Sequence, residues 1–150
     1  MKRILCIVIV ISLIIFPCLA IQTTKLPGDS ILGTWQTEVQ DAKIQVYRIG
    51  NVYYGKIIWL EHKDVPQNVP WLDSRNPNPT LRNRTRENIV AMTGMVYSGD
   101  NKYSNGNIYY PTNGKTYCCC ATLVDYNSLN IRPYMGVRLL GYNVKFTRVK

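Results

Sequence analysis

Residues 31–35 read Ile31-Leu32-Gly33-Thr34-Trp35, and this run sets the expectation for the whole chain. It has the form of the opening strand of a small antiparallel barrel, with Trp35 plugging one end and Gly33 letting a second backbone come close. The far end of the chain offers the partner, Val144-Lys145-Phe146-Thr147-Arg148. In that run Val144, Phe146 and Arg148 share one face, by the two-residue period of a strand. If first and last strands pair to close a ring, the Arg148 guanidinium comes to lie over the Trp35 indole, a cation–π contact worth about 0.5–2 kcal/mol. The plainer alternative, a core tryptophan and a solvated terminal arginine, stands beside it.

Between these two runs the chain alternates in short segments rich in Tyr, Val, Ile and Thr, which is strand chemistry. Strands are predicted over 31–38, 42–49, 52–60, 89–97, 105–110, 115–124, 129–136 and 138–148. Gly50-Asn51 predicts a two-residue hairpin, Pro111-Thr112-Asn113-Gly114 a slightly longer one, and Asp125-Tyr126-Asn127-Ser128 a further turn. Eight strands joined mostly by short turns predict an all-β, up-and-down antiparallel barrel. Its interior would be narrow, filled by side chains or holding one small ligand. Ile44 and Val46 are expected inside. Tyr53, Gly55, Ile57 and Trp59 are expected on one face, and Tyr117, Cys119, Ala121 and Leu123 on another. Pro133 cannot donate to a ladder, so the seventh strand is expected to bulge or leave the barrel partly open. Residues 61–88 break the pattern with four prolines. A connection of that length predicts a functional loop, here a flap over one barrel mouth anchored by Trp71 and Leu72, with a short helical turn near 80–83. Asn83-Arg84-Thr85 also fits a glycosylation acceptor.

The chain opens Met1-Lys2-Arg3, runs apolar from Ile4 to Phe16 apart from Ser12, and continues Pro17-Cys18-Leu19-Ala20. That is the plan of a secretory signal peptide cleaved after Ala20, too short for a membrane span. Pro17 before Cys18 argues against a lipoprotein. The expected layout is a signal at 1–20, a lead-in at 21–30 and one barrel domain at 31–150, periplasmic or secreted. Loss of Lys2 and Arg3 with the signal lowers the formal charge from +9 to +7. A basic exported protein suits anionic envelope polymers, headgroups or acidic small molecules rather than nucleic acid, and the plainer alternative is a charge that serves solubility. The consecutive Cys118, Cys119 and Cys120 form no disulfide framework and read as small packing residues; a redox role is the alternative.

Two clusters stand out as candidate sites. The first is aromatic and basic: Trp35, Tyr47, Tyr53, Trp59, Tyr109, Tyr117, Tyr134, Arg132 and Arg148. Tyrosines pointing into a barrel present an apolar body and a polar tip, which suits an amphipathic ligand. The alternative is a filled core in which those hydroxyls satisfy one another and Arg132. The second cluster lies on the long loop: Asp73, Arg75, Asn76, Arg82, Arg84 and Arg86. Its guanidiniums fit a carboxylate or phosphate, or else Asp73 pairs with Arg84 and Asn76 holds a turn. His62 is the only histidine, and neither a nucleophile–base pairing nor a metal-ligand spacing is legible. No cofactor and no enzyme activity are expected.

The combination of Gly33-Thr34-Trp35, Ile44-Gln45-Val46-Tyr47, Tyr54-Gly55-Lys56-Ile57-Ile58-Trp59 and Asp73 with Asn76-Pro77 resembles the DUF2147 proteins. So do Leu81 with Arg84, Gly106-Asn107-Ile108-Tyr109-Tyr110-Pro111, Asn113-Gly114-Lys115-Thr116-Tyr117, Leu129 with Arg132, Leu140-Gly141 and Thr147-Arg148. Two departures fall near the last strands: Pro133 follows the arginine where glycine is usual, and Phe146 stands where tryptophan is common. The resemblance implies a small exported bacterial protein with a lipocalin-like, calycin-type barrel, and it carries no established activity. Calycins commonly hold small hydrophobic or amphipathic molecules, an analogy of fold alone. The leading expectation is an exported barrel that binds a small amphipathic or anionic molecule in the cell envelope. The alternative is an envelope-interaction protein with a filled barrel that works through its basic surface.

Overall fold

The structure, a computed structural model, describes residues 25–62, 66 and 69–149. The signal peptide expected at 1–20, with Cys6 and Cys18, lies outside the described residues. Eight strands form a closed antiparallel barrel in simple chain order: β1 (Gly33–Thr37), β2 (Ala42–Ile49), β3 (Val52–Leu60), β4 (Val90–Gly99), β5 (Lys102–Tyr110), β6 (Lys115–Asp125), β7 (Ser128–Tyr134) and β8 (Val144–Arg148). The ring closes through β1 and β8, with Trp35 opposite Arg148, Gln36 opposite Thr147 and Thr37 opposite Phe146. Up-and-down order sends the β2–β3, β4–β5 and β6–β7 turns to one end, beside the start of β1 and the end of β8. The other four connections gather at the opposite end.

Period-two burial builds the core. Ile44, Val46, Tyr53, Ile57, Met92, Met95, Tyr103, Cys119, Ala121, Leu123, Leu129, Ile131 and Phe146 all point inward and are buried. Removing each of the Val, Leu, Ile, Met and Phe side chains from water is worth about 1.5–3 kcal/mol. The space is tightly filled at Gly106. A Cβ there would lie 2.7 Å from Met95 Cγ and 2.9 Å from Cys119 Sγ.

Several strand boundaries move from their expected places. Asp100 and Asn101 both adopt positive φ (50° and 56°), which makes the β4–β5 connection a tight two-residue turn. β5 therefore starts at Lys102, three residues before the expected 105. The expected strand 138–148 shortens to Val144–Arg148, because Arg138–Leu140 coils into a 3₁₀ turn. β7 pairs with β8 only from Ser128 to Ile131, so Pro133 sits beyond that ladder with its missing N–H harmless. The lead-in holds a 3₁₀ turn at Pro27–Ile31, and another lies at Pro79–Leu81 in the long connection.

Candidate functional site

The end carrying the short hairpins is sealed. Trp35 is fully buried, and its indole N–H donates to the Ile31 carbonyl at 2.8 Å. The Arg148 guanidinium lies 4.2 Å from the Trp35 ring centroid and 4.5 Å from that of Tyr126, between the two rings. It donates to the carbonyls of Ser30 (2.6 Å), Leu32 (2.7 Å) and Tyr126 (2.7 Å), which ties the lead-in and the β6–β7 turn to the last strand. Gly33 makes room for that side chain rather than for another backbone: a Cβ at this positive-φ position would sit 2.7 Å from Arg148 Nη1. Beside this seal, Asp29 accepts from the Leu26 N–H (2.7 Å), Arg48 Nε (2.7 Å) and the Tyr53 hydroxyl (3.2 Å). Burial works against the Asp29 carboxylate, but these donors outweigh it and hold its pKa below the usual carboxylate value. Burial, then the Asp29 charge, pushes the Tyr53 hydroxyl up to about 12.

At the opposite end the long connection folds back on itself through an isolated bridge between Leu72 and Thr85. Asp73, fully buried, organises it. One carboxylate oxygen accepts from the Tyr109 hydroxyl at 2.6 Å. The other accepts from Asn76 Nδ2 at 2.7 Å and from Arg84 Nε and Nη2 at 3.0 Å each. Arg82 donates to the Asn76 carbonyl (2.8 Å), Arg75 to that of Thr112 (2.9 Å) and Arg86 to that of Leu72 (3.0 Å). Arg86 also lies 4.3 Å over the Trp71 ring. The loop arginines are thus joined to the loop's own carbonyls, its carboxylate and a neighbouring turn.

The same end holds a cavity of about 290 Å³ walled by Tyr110, Tyr117, Tyr134 and Tyr142. Asn113, Pro133, Met135 and Leu140 complete its lining, and no charged side chain contributes. Tyr110 and Tyr117 meet edge to face at 5.6 Å, and Asn113 Nδ2 donates to the Tyr117 hydroxyl at 3.2 Å. Burial first, and Tyr142 second, raise the Tyr110 pKa above its ordinary value, which keeps that hydroxyl protonated. A smaller cavity of about 200 Å³ lies by Leu60, His62, Trp71 and Arg86.

The residues proposed from sequence divide between the two faces of the sheet. Trp35 and Tyr53 lie in the packed interior, and Tyr117 and Tyr134 line the 290 Å³ cavity. Tyr47 is on the outer face, stacked on Tyr54 at 5.6 Å. Trp59 leaves the face it was expected to share with Ile57, because a bulge places it opposite Lys43. The Lys43 ammonium then lies 5.2 Å from its ring centroid. Tyr109 faces Asp73 rather than the barrel axis. Asn105, at φ 62°, lies where the β5–β6 register slips and Gly106 takes the next inward place. Arg132 alternates with the inward Ile131 and Pro133, so it lies outside and holds the 138–143 segment. Tyr110 and Tyr142 were missed. Ile108 and Tyr110 occupy the inward places after the slip, a shift that depends on pairing with β6. Tyr142 had been read into a strand that does not form there. Among the described residues, no group of three His, Cys, Asp or Glu side chains is placed to hold a metal ion.

A family model described as "Uncharacterized protein conserved in bacteria (DUF2147)" matches residues 33–148. Among solved structures, the chain is similar to Protein HP1028 from the human pathogen Helicobacter pylori, described as belonging to the lipocalin family. The TM-score is 0.69 at 22% identity, covering 79% of this chain and 82% of that one, which is a likeness of fold. Comparison with curated proteins gave no match.

Proposed function

The chain belongs to the DUF2147 family, and from that footing we propose that it is a non-enzymatic carrier of one small amphipathic molecule in the cell envelope. The observation that carries this reading is the tyrosine-walled cavity at the unsealed end. Its volume of about 290 Å³ is near the lower bound, about 300 Å³, of typical small-molecule sites. Rings supply apolar and stacking surface, while phenol hydroxyls and Asn113 supply a few directional polar contacts. That composition favours a neutral or weakly polar ligand over the anionic one, since no guanidinium or ammonium reaches the wall. The sealed, filled half of the barrel confines the ligand to this end. Support for export is the basic, apolar and small-residue order of residues 1–20.

Native mass spectrometry of the protein recovered from a bacterial envelope fraction tests both parts. The expected result is a chain beginning at Ile21 that carries one small-molecule adduct. The adduct should be lost in Tyr110→Ala/Tyr117→Ala protein that still unfolds cooperatively. An adduct-free protein whose melting temperature no amphipathic library compound raises would overturn the carrier reading. Recovery of the full-length chain in the cytoplasm would overturn export.

A further inference from the structure

The β7–β8 connection presents Met135, Val137, Leu139, Leu140 and Tyr142 to solvent, each between 59% and 86% exposed. Five large apolar side chains within eight residues form a contiguous exposed stretch of the kind that marks an interaction surface. They are held out rather than left to collapse inward. Arg132 on β7 clamps the segment from beneath, donating to the carbonyls of Arg138 (3.0 Å) and Leu139 (3.1 Å) and to Asn143 Oδ1 (3.2 Å). Arg138 Nε donates in turn to Cys120 Sγ at 3.1 Å, fastening the 3₁₀ turn to β6. Arg132 satisfies two carbonyls of the segment and Arg138 anchors it to Cys120, so the apolar side chains are free to face outward.

We infer that this segment is a docking tip that inserts into the surface of an anionic lipid bilayer. Charge complementarity selects that occupant. From Pro133 to Val144 the chain has no acidic residue, Arg138 lies within the tip, and the exposed Lys115 stands on the β5–β6 hairpin at the same end. Without residues 1–20 the chain carries a formal charge of +7. Apolar side chains flanked by cations, with a tyrosine at the edge, match a headgroup interface: the apolar groups enter the acyl boundary while the cations stay among the phosphates. Among the described residues, no helix is long and apolar enough to cross a membrane. Met135, Leu140 and Tyr142 also belong to the cavity wall, which sets the mouth against the bilayer. The docking does not depend on whether the cavity holds a ligand.

Co-sedimentation of the purified mature protein with vesicles tests it, comparing phosphatidylcholine alone with phosphatidylcholine containing phosphatidylglycerol. Binding is expected only to the anionic vesicles and should weaken with added salt. Val137→Asp/Leu139→Asp, at two exposed positions outside the cavity wall, should reduce the bound fraction by about tenfold. Its melting temperature should stay unchanged. An emission shift to the blue when Leu139→Trp protein meets anionic vesicles would place the tip in the lipid. Three results would overturn the inference: no anionic binding by the parent protein, undiminished binding by the double variant, or a dimer in sedimentation velocity that the same substitutions abolish. The last would assign the surface to a second copy of the chain.

Discussion

Arg148 shows how much one side chain can hold. Its three carbonyl contacts tie the segment before the first strand and the β6–β7 turn to the last strand, and it lies between two rings. Lysine keeps the charge but cannot serve three carbonyls from one planar fork. Arg148→Lys should therefore lower stability by about 2–3 kcal/mol, read as a shift in urea midpoint at unchanged slope. Tyr53 gives a pH signature. Burial and the Asp29 charge raise its folded pKa to about 12 from 10.0, so folding favours the neutral phenol. Its contribution is complete below pH 10 and drains away as pH rises toward 12. Tyr109, raised to about 12 by burial and by Asp73, acts over the same window. The urea midpoint should fall between pH 10 and 12, and Tyr53→Phe should flatten that fall without abolishing it. The Trp35–Arg148 contact was one of two readings open from sequence, allowed because strand period and chain ends are local facts. The second ring over Arg148, Tyr126, was not legible, because it arrives from a turn that only the closed barrel brings near.

At the scale of elements, residues 71–86 of the β3–β4 connection are held together by one carboxylate. Asp73→Ala leaves Arg84, Asn76 and the Tyr109 hydroxyl without their shared acceptor. Because Arg84 is partly exposed and can recover water, the expected cost is about 1–3 kcal/mol. Limited proteolysis should then cut within residues 71–86 before the barrel opens. β6 offers a second test. Cys118 is exposed, whereas Cys119 points into the packed interior, where burial pushes its thiol up to about 12. Native protein treated with iodoacetamide should label at Cys118, while Cys119 should react only after unfolding. The Asp73–Arg84 pair had been one of two readings from sequence. Residue types and spacing favoured it, but an anion site stayed open until the fold buried Asp73 under Tyr109.

For the molecule as a whole, the two ends of the barrel differ. One is filled and cross-tied by Asp29, Arg48, Tyr53, Trp35 and Arg148; the other carries the cavities and the incomplete β7–β8 ladder. Amide hydrogen exchange should follow that gradient. The residues around Trp35, Tyr103 and Leu129 should be slowest, with those around Tyr134 and Val144 faster by about a hundredfold or more, a difference of roughly 3 kcal/mol in local opening. Equal protection at both ends would remove the asymmetry on which a single open mouth depends. The sequence by itself determined the class of fold, the closure of first strand on last and most strand positions. Alternation, turn residues and Pro or Gly punctuation act over a few neighbours and need no distant partner. Only the tertiary structure decided which tyrosines meet. The slip at Asn105 and the bulge near Lys43 each reverse the facing of everything beyond them. Such slips are settled by pairing with a neighbouring strand, so the identity of the cavity wall was fixed by the assembled sheet.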